Sequence, residues 1–286
     1  MIKIWHQSFT DLTTMPIYAD TLNEHAKRIL SDDAIVVLHG LRKGTYADGV
    51  APIDAIKYRY LEFLNESQIC EAALTAEREG FDAVAIGCFF DPALRLARSI
   101  VDIPVVSLAE SCMLTACSIG RTFGLVTLCL EETGNLYDLA SLYGISSRLS
   151  SVVGLAPAID EFSLEGGPEQ SQAIIENFKR ACAIVIEAGS EVIIPGDGVL
   201  NEFLVRNKVT EVDGVPILDS IGTLFHHATM LAKLKRSTGL SVSRRHFYVR
   251  PPKEMMLAAR SFAGVKDLKS DDFSTFRSND LISREA

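Results

Sequence analysis

The sequence predicts an α/β protein of two pseudo-symmetric lobes, each a mostly parallel sheet flanked by helices, with a cleft between them. Short β-branched runs alternate with longer helical patterns along most of the chain, which is the pattern of a parallel sheet covered on both faces. One strand-turn-helix stretch also occurs twice. The composition, 48% hydrophobic and 23% charged over 286 residues, supplies a full core for one large unit or two ordinary domains.

The elements follow in order. IKIWHQ (2–7) opens with a strand pattern, and AIVVLHG (34–40) forms a second strand ending in glycine. A helical stretch over 57–79 ends at Gly80, and DAVAIG (82–87) is the next strand. Asp91-Pro92 then marks a helix start near 92–101, because Asp suits an N-cap and Pro the first helical position. PVVSLA (104–109), a helix over 110–119 and FGLVTL (123–128) follow. The second set has strands SVVGLA (151–156), EVIIPG (191–196) and PILDSI (216–221), with helices over 168–188, 198–208 and 222–235. The expected division is 1–118 with 212–235 for one lobe, 119–211 for the other, and 236–286 as a C-terminal extension. SRRHFYVRPPKE (243–254) reads as an extended linker before one short helix. The polar tail 265–286 reads as loosely ordered or packed on a partner subunit.

The repeated stretch is EGFDAVAIGCFFDPAL (79–94) against AGSEVIIPGDGVLNEF (188–203). Each has a helix-ending glycine, an apolar strand, and a glycine before one polar residue. Gly80 to Cys88 spans eight positions, and so does Gly189 to Asp197. Two lobes of like topology place Cys88 and Asp197 at facing strand ends, where parallel sheets bind ligands. A helix starting after Cys88 would stabilise negative charge there, so a lowered thiol pKa is expected.

The net charge of −9 argues against a nucleic-acid partner, which needs clustered Lys and Arg. No apolar run approaches the roughly 20 residues of a membrane span, and the N-terminus lacks a signal-peptide pattern, so a cytoplasmic location is expected. The six cysteines show no CxxC pair, and the six histidines show no HxH or HxxxH spacing, so neither a disulfide framework nor a metal site is expected. The GDG at 196–198 lacks the third glycine of a dinucleotide fingerprint, since position 201 is Asn201.

The stretches FDAVAIGCFFDPALRLAR (81–98), IPVVSLAES (103–111), GRTFGLVTL (120–128), AGSEVIIPGDG (188–198) and VDGVPILDSIGT (212–223) resemble the aspartate/glutamate/hydantoin racemase superfamily, most closely its hydantoin and allantoin racemase branch. The likeness spans roughly residues 1–235. It implies a cofactor-independent enzyme with its site between two lobes, where two cysteines exchange a proton with opposite faces of one carbon. Cys88 matches the first cysteine, and Asp197 stands where the second belongs. It further implies a small-molecule substrate held by residues at the strand ends. The candidates are His6, Gln7, Ser8, His39, Gly87, Phe89, Ser107, Glu110, Thr127, Gly196 and Gly198. His6-Gln7-Ser8 replaces the Asn-Pro-Asn type segment usual after the first strand. A homo-oligomer is expected.

A free thiol ionises near pH 8.5 and a free Asp near 3.9, a gap of about 6 kcal/mol, so Asp197 matches a thiol as a base only if a dry pocket raises its pKa. An ionised Asp197 beside Cys88 would repel a dicarboxylate and favours a neutral cyclic ureide or amide. Two other reaction classes fit one cysteine: a lyase or isomerase on the same fold, and a hydrolase in which Cys88 attacks a cyclic amide or imide. A non-catalytic small-molecule sensor is a further reading.

Overall fold

The apolar runs assemble into two parallel sheets in the computed structural model, which describes residues 1–276. The first sheet has the order β2-β1-β3-β4, from β1 (Ile2–Ser8), β2 (Ala34–His39), β3 (Ala83–Gly87) and β4 (Val105–Ser107). The second has β5 (Phe123–Thr127) between β6 (Leu149–Gly154) and β7 (Val192–Pro195). Every neighbouring pair in these two sheets is parallel, so the carboxyl ends of each sheet lie along one edge. The register sets Ser8 beside Gly87 at that edge of the first sheet. A two-stranded antiparallel ribbon, β8 (Glu211–Val212) and β9 (Val215–Pro216), adjoins β7 through a parallel bridge from Ile217 to Ile193.

The helices are α1 (Pro16–Leu30), α2 (Pro52–Ile56), α3 (Arg59–Arg78), α4 (Leu94–Ile100) and α5 (Leu108–Ile119). They continue with α6 (Thr133–Leu142), α7 (Pro168–Glu187), α8 (Gly198–Arg206), α9 (Ser220–Thr238) and α10 (Lys253–Phe262). Because side chains alternate across a strand, β1 and β3 feed both faces of their sheet. Ile4, Ala83 and Ala85 join a large core that continues into the second sheet through Leu125 and Ile193. Trp5, Val84 and Ile86 join a second core under α3 and α4. Helix α9 packs on β1, β3 and β4, α5 reaches both sheets, and α8 packs on α1 and α9, so the two sheets are held to one another by helices.

Several elements depart from expectation. Helices α1 and α6 were not anticipated, although α1 starts with Pro at its first position and buries Tyr18, Leu22, Ala26 and Leu30 in a helical stripe. The strand expected over 216–221 stops at Pro216, because Asp219 caps α9 by accepting the Gly222 N–H at 2.9 Å. The stretch 243–254 is tied down by arginines rather than free: Arg244 lies 2.7 Å from Asp102, and Arg250 lies 3.0 Å from Glu77. The tail expected to be loose or partner-bound packs on its own chain as far as residue 276. Phe273 is buried edge-on to Trp5, and Thr275 pairs antiparallel with His39 beside the sheet edge. Residues 277–286 of that tail lie outside the described residues. Among the described residues no helix is long and apolar enough to cross a membrane.

Candidate active site

Cys88 follows β3 and Asp197 follows β7, one from each sheet. The two strand-end loops touch: a Cβ placed on Gly198 would lie 3.3 Å from the Gly87 carbonyl oxygen. Both residues line one cavity of about 40 Å³, shared with Ser8, Tyr18, Phe90, Glu132 and Glu161. Glycine is required at position 87 by a close approach, because a Cβ there would meet His6 Nε2 at 2.3 Å.

Asp197 is the N-cap of α8, its Oδ1 accepting the Leu200 N–H at 2.8 Å. Burial pushes its carboxyl up to about 6, against the pull of the Leu200, Val199 and Gly198 N–H groups. Burial also pushes the Cys88 thiol well above its ordinary value; the Phe90 N–H opposes this, while Asp197, Glu62 and Asp91 add to it. The expected lowering of the Cys88 pKa is therefore corrected. The reason is geometric: Asp91 and Ala93 adopt left-handed φ of 47° and 52°, and α4 begins only at Leu94. Asp91 caps a different helix, its carboxylate accepting the Ala109 N–H at 2.9 Å and the Glu110 N–H at 2.8 Å at the start of α5.

Of the expected lining residues, Ser8, Gly87, Phe89, Gly196 and Gly198 face the cavity with Cys88 and Asp197. The other six do not line it. His6 is fully buried beneath Gly87 and against Phe225, with neither ring nitrogen hydrogen-bonded, and burial followed by nearby His39 pushes it down to about 3. Gln7 points to the opposite face of β1 and accepts the Trp5 indole N–H at 2.9 Å. His39 stacks on Trp5 with ring centroids 3.4 Å apart. The Ser107 hydroxyl turns to the Ile86 and Cys88 carbonyls, each at 3.4 Å. Glu110 is held by the Arg98 guanidinium at 2.9 Å, and Thr127 donates to the Glu132 carboxyl.

Two acids in the cavity were not anticipated. Burial and the nearby Asp197 push Glu132 up to about 8, with the Thr127 hydrogen bond opposing. Glu161 is pushed well above the usual carboxylate range by burial and then Asp197, while its Oε1 accepts the Ile53 N–H at 3.0 Å. Tyr18, on the unanticipated α1, lies 3.3 Å from the Ser8 hydroxyl. The only sequence signal for these residues was the position of Glu132 just past a strand end; Glu161 sits in an irregular connection that carries none. No Lys, Arg or His among the described residues lines the cavity. Among the described residues, no group of three or more His, Cys, Asp and Glu is arranged to hold a metal ion.

The Asp/Glu/hydantoin racemase model matches residues 17–228, most of the chain, including both strand ends. The chain belongs to that family. Membership makes it an isomerase of the racemase type. It is 29% identical over 206 residues to a hydantoin racemase of Pseudomonas sp., covering 72% of this chain and 78% of the relative. It is similar in structure to an allantoin racemase from Klebsiella pneumoniae, with TM-score 0.68 and 19% identity over 88% of this chain and 95% of the other. An allantoin racemase from Pseudomonas fluorescens also gives TM-score 0.68, at 24% identity over 88% of this chain and 98% of the other. These structural likenesses carry the fold.

Proposed function

We propose that this racemase interconverts the enantiomers of a hydantoin-like cyclic ureide without a cofactor, using Asp197 and Cys88 on opposite faces of the stereocentre. The observation that supports it most is the single cavity lined by both residues, one from each sheet. Of the two, Asp197 is ionised first, so the resting pair is a carboxylate and a thiol. The Asp197 carboxylate removes the proton from the acidic ring carbon, and the Cys88 thiol delivers its proton to the other face. The pair is then Asp197 acid and Cys88 thiolate, which performs the reverse reaction.

In the free enzyme the carboxylate–thiol form is the favoured one, because burial raises the Cys88 thiol well above its ordinary value while the α8 N–H groups restrain the rise of Asp197. The Ser8 and Tyr18 hydroxyls supply donors for the carbonyl oxygen that gains charge as the proton leaves. Among the described residues no cationic side chain lines the cavity to pair with a substrate carboxylate, which favours a neutral ring over an acidic amino acid.

The test is proton NMR in D2O with single-enantiomer 5-substituted hydantoins and allantoin, on the wild type, Cys88→Ala and Asp197→Asn. The wild type is expected to exchange the ring C–H and lose optical rotation together, and each variant to be slowed by about 10²–10⁴-fold. Ring opening, or loss of CO2 without exchange in the recovered substrate, would refute racemisation.

A further inference from the structure

The groups that line the reaction cavity ride on separate elements. Asp197 caps α8, the Tyr18 side chain stands on the first turn of α1, and Pro52 and Ile56 of α2 close the wall. Neither α1 nor α2 caps itself. Met15 and Ala51 precede them without a side-chain acceptor, and each helix begins with Pro. Proline has no N–H to satisfy, and the Ala19 and Asp54 N–H groups already bond to the Met15 and Ala51 carbonyls. The free donors of the two first turns are therefore Ile17, Tyr18 and Ile53.

One short turn between β6 and α7 takes all three. Glu165 accepts the Ile17 N–H at 2.8 Å on one carboxyl oxygen and the Tyr18 N–H at 2.7 Å on the other. Glu161, which also lines the cavity, accepts the Ile53 N–H at 3.0 Å. The turn is anchored in its own surroundings: the Ile159 N–H bonds to the Leu128 carbonyl past β5 at 3.2 Å, and Asn177 of α7 bonds to the Pro157 carbonyl at 2.8 Å. Arg206, the last residue of α8, donates to the Leu164 carbonyl at 2.9 Å. So α8 carries Asp197 at one end and grips this turn at the other. A Ser or Asp at position 15 would cap α1 as well as Glu165 does. What an acceptor 147 residues away adds is a fixed place for Tyr18 relative to α8.

Resting on the racemase reading, we infer that Glu165 is a positioning residue for the reaction: it holds the first turn of α1 so that the Tyr18 hydroxyl meets the ring carbonyl at a set distance from Asp197. Glu161 fixes the α2 wall in the same way. The spacing matters because a donor aimed at developing charge works only when well placed, and a shift of about 1 Å can cost roughly 100-fold.

The test is a double-mutant cycle on hydantoin racemisation with Tyr18→Phe and Glu165→Ala. Tyr18→Phe is expected to lower kcat by at least about 10-fold, as one lost donor does. Glu165→Ala should lower kcat about as much while KM changes less than about 3-fold, since the donor acts on charge present only in the transition state. In the Tyr18→Phe background Glu165→Ala should cost less than about 2-fold, because the hydroxyl it places is gone. Losses that simply multiply, or an unchanged kcat in Glu165→Ala, overturn the inference and leave the racemase reading standing. Should Glu165→Ala not fold, Glu165→Gln, with one oxygen for two N–H groups, is expected to show the same pattern at a smaller loss, and multiplying losses there overturn it equally. If the wild type racemises neither hydantoins nor allantoin, the racemase reading fails instead. Carbon-13 NMR of Cζ-labelled tyrosine then decides the placement: the Tyr18 signal, identified by its loss in Tyr18→Phe, is expected to shift in Glu165→Gln, and an unmoved signal overturns the inference.

Discussion

Replacing Asp197 by Asn should make the protein more stable while slowing its chemistry. Asn keeps the N-cap, because its side-chain oxygen accepts the Leu200 N–H as the Asp197 Oδ1 does at 2.8 Å. What it removes is a carboxylate whose pKa is raised by burial from 3.8 to about 6. A carboxyl raised on folding binds more protons in the folded than in the unfolded chain between those values, so stability falls as the pH rises from about 4 to 6 and stays low above it. At 1.36 kcal/mol per decade, the cost at pH 7 is up to about 3 kcal/mol. For a chain of this size that corresponds to roughly 5 °C in Tm. Asp197→Ala loses the cap as well, about 1 kcal/mol, and should gain correspondingly less. The assay is thermal unfolding of wild type and both variants at pH 5 and pH 8, with hydantoin exchange measured alongside. The gain of Asp197→Asn should be larger at pH 8. A variant that melts at or below the wild type at pH 8 refutes the idea that Asp197 carries a buried, costly charge.

Two further perturbations test what surrounds the pair. Burial pulls His25 down, but its hydrogen bonds to the Asp219 and Glu202 carboxylates and their charge outweigh it and hold it at about 9. Its stabilising charge is fully present below about pH 6.5 and is lost as the pH rises through 9. Urea unfolding of the wild type should therefore weaken by about 3 kcal/mol across that window, and His25→Ala, which leaves Glu202 buried without its cation, should be about 3–5 kcal/mol less stable at pH 6. A flat wild-type profile between pH 6.5 and 9 would count against the charged His25. Gly87→Ala sets a methyl 2.3 Å from His6 Nε2, and His6 is fully buried, so a loss of about 1–3 kcal/mol and at least a tenfold fall in racemisation are expected. Unchanged melting and turnover would show that the approach of His6 to Gly87 is not tight.

The strands were legible because β-branched runs and glycine punctuation are local signals, and the register of β1 and β3 follows from them. The pairing of Cys88 with Asp197 was legible because the repeat carries the same eight-residue spacing in both halves. Helix α1 was readable in principle, from Pro16 and the spacing of Tyr18, Leu22 and Ala26, yet its polar residues masked the stripe. Side-chain direction was harder to read. Ser8 reaches the cavity, while His6, two residues earlier on the same face, is stopped beneath Gly87, a contact between neighbouring strands that one strand's pattern does not show. The state of the thiol was not legible at all, since it depends first on burial and then on Asp197, Glu62 and Asp91, which the fold brings together from three separate segments.

The helix dipole illustrates the point most sharply, because it serves the other member of the pair. Asp91-Pro92 suggested a helix start behind Cys88, but Asp91 is spent on capping α5, and α4 begins six residues after the thiol. Asp197 sits directly at the N-terminus of the nine-residue α8, where the free N–H groups of its first turn stabilise negative charge. The same burial acts on both residues, but only Asp197 has this compensation, and it starts from the lower intrinsic pKa. Between two buried acids, the one with the helix end ionises first. In the proposed mechanism an aspartate at that position therefore does more than lower the basicity of a two-thiol site: it puts the resting charge on the α8 side of the cavity, with Cys88 as the proton donor.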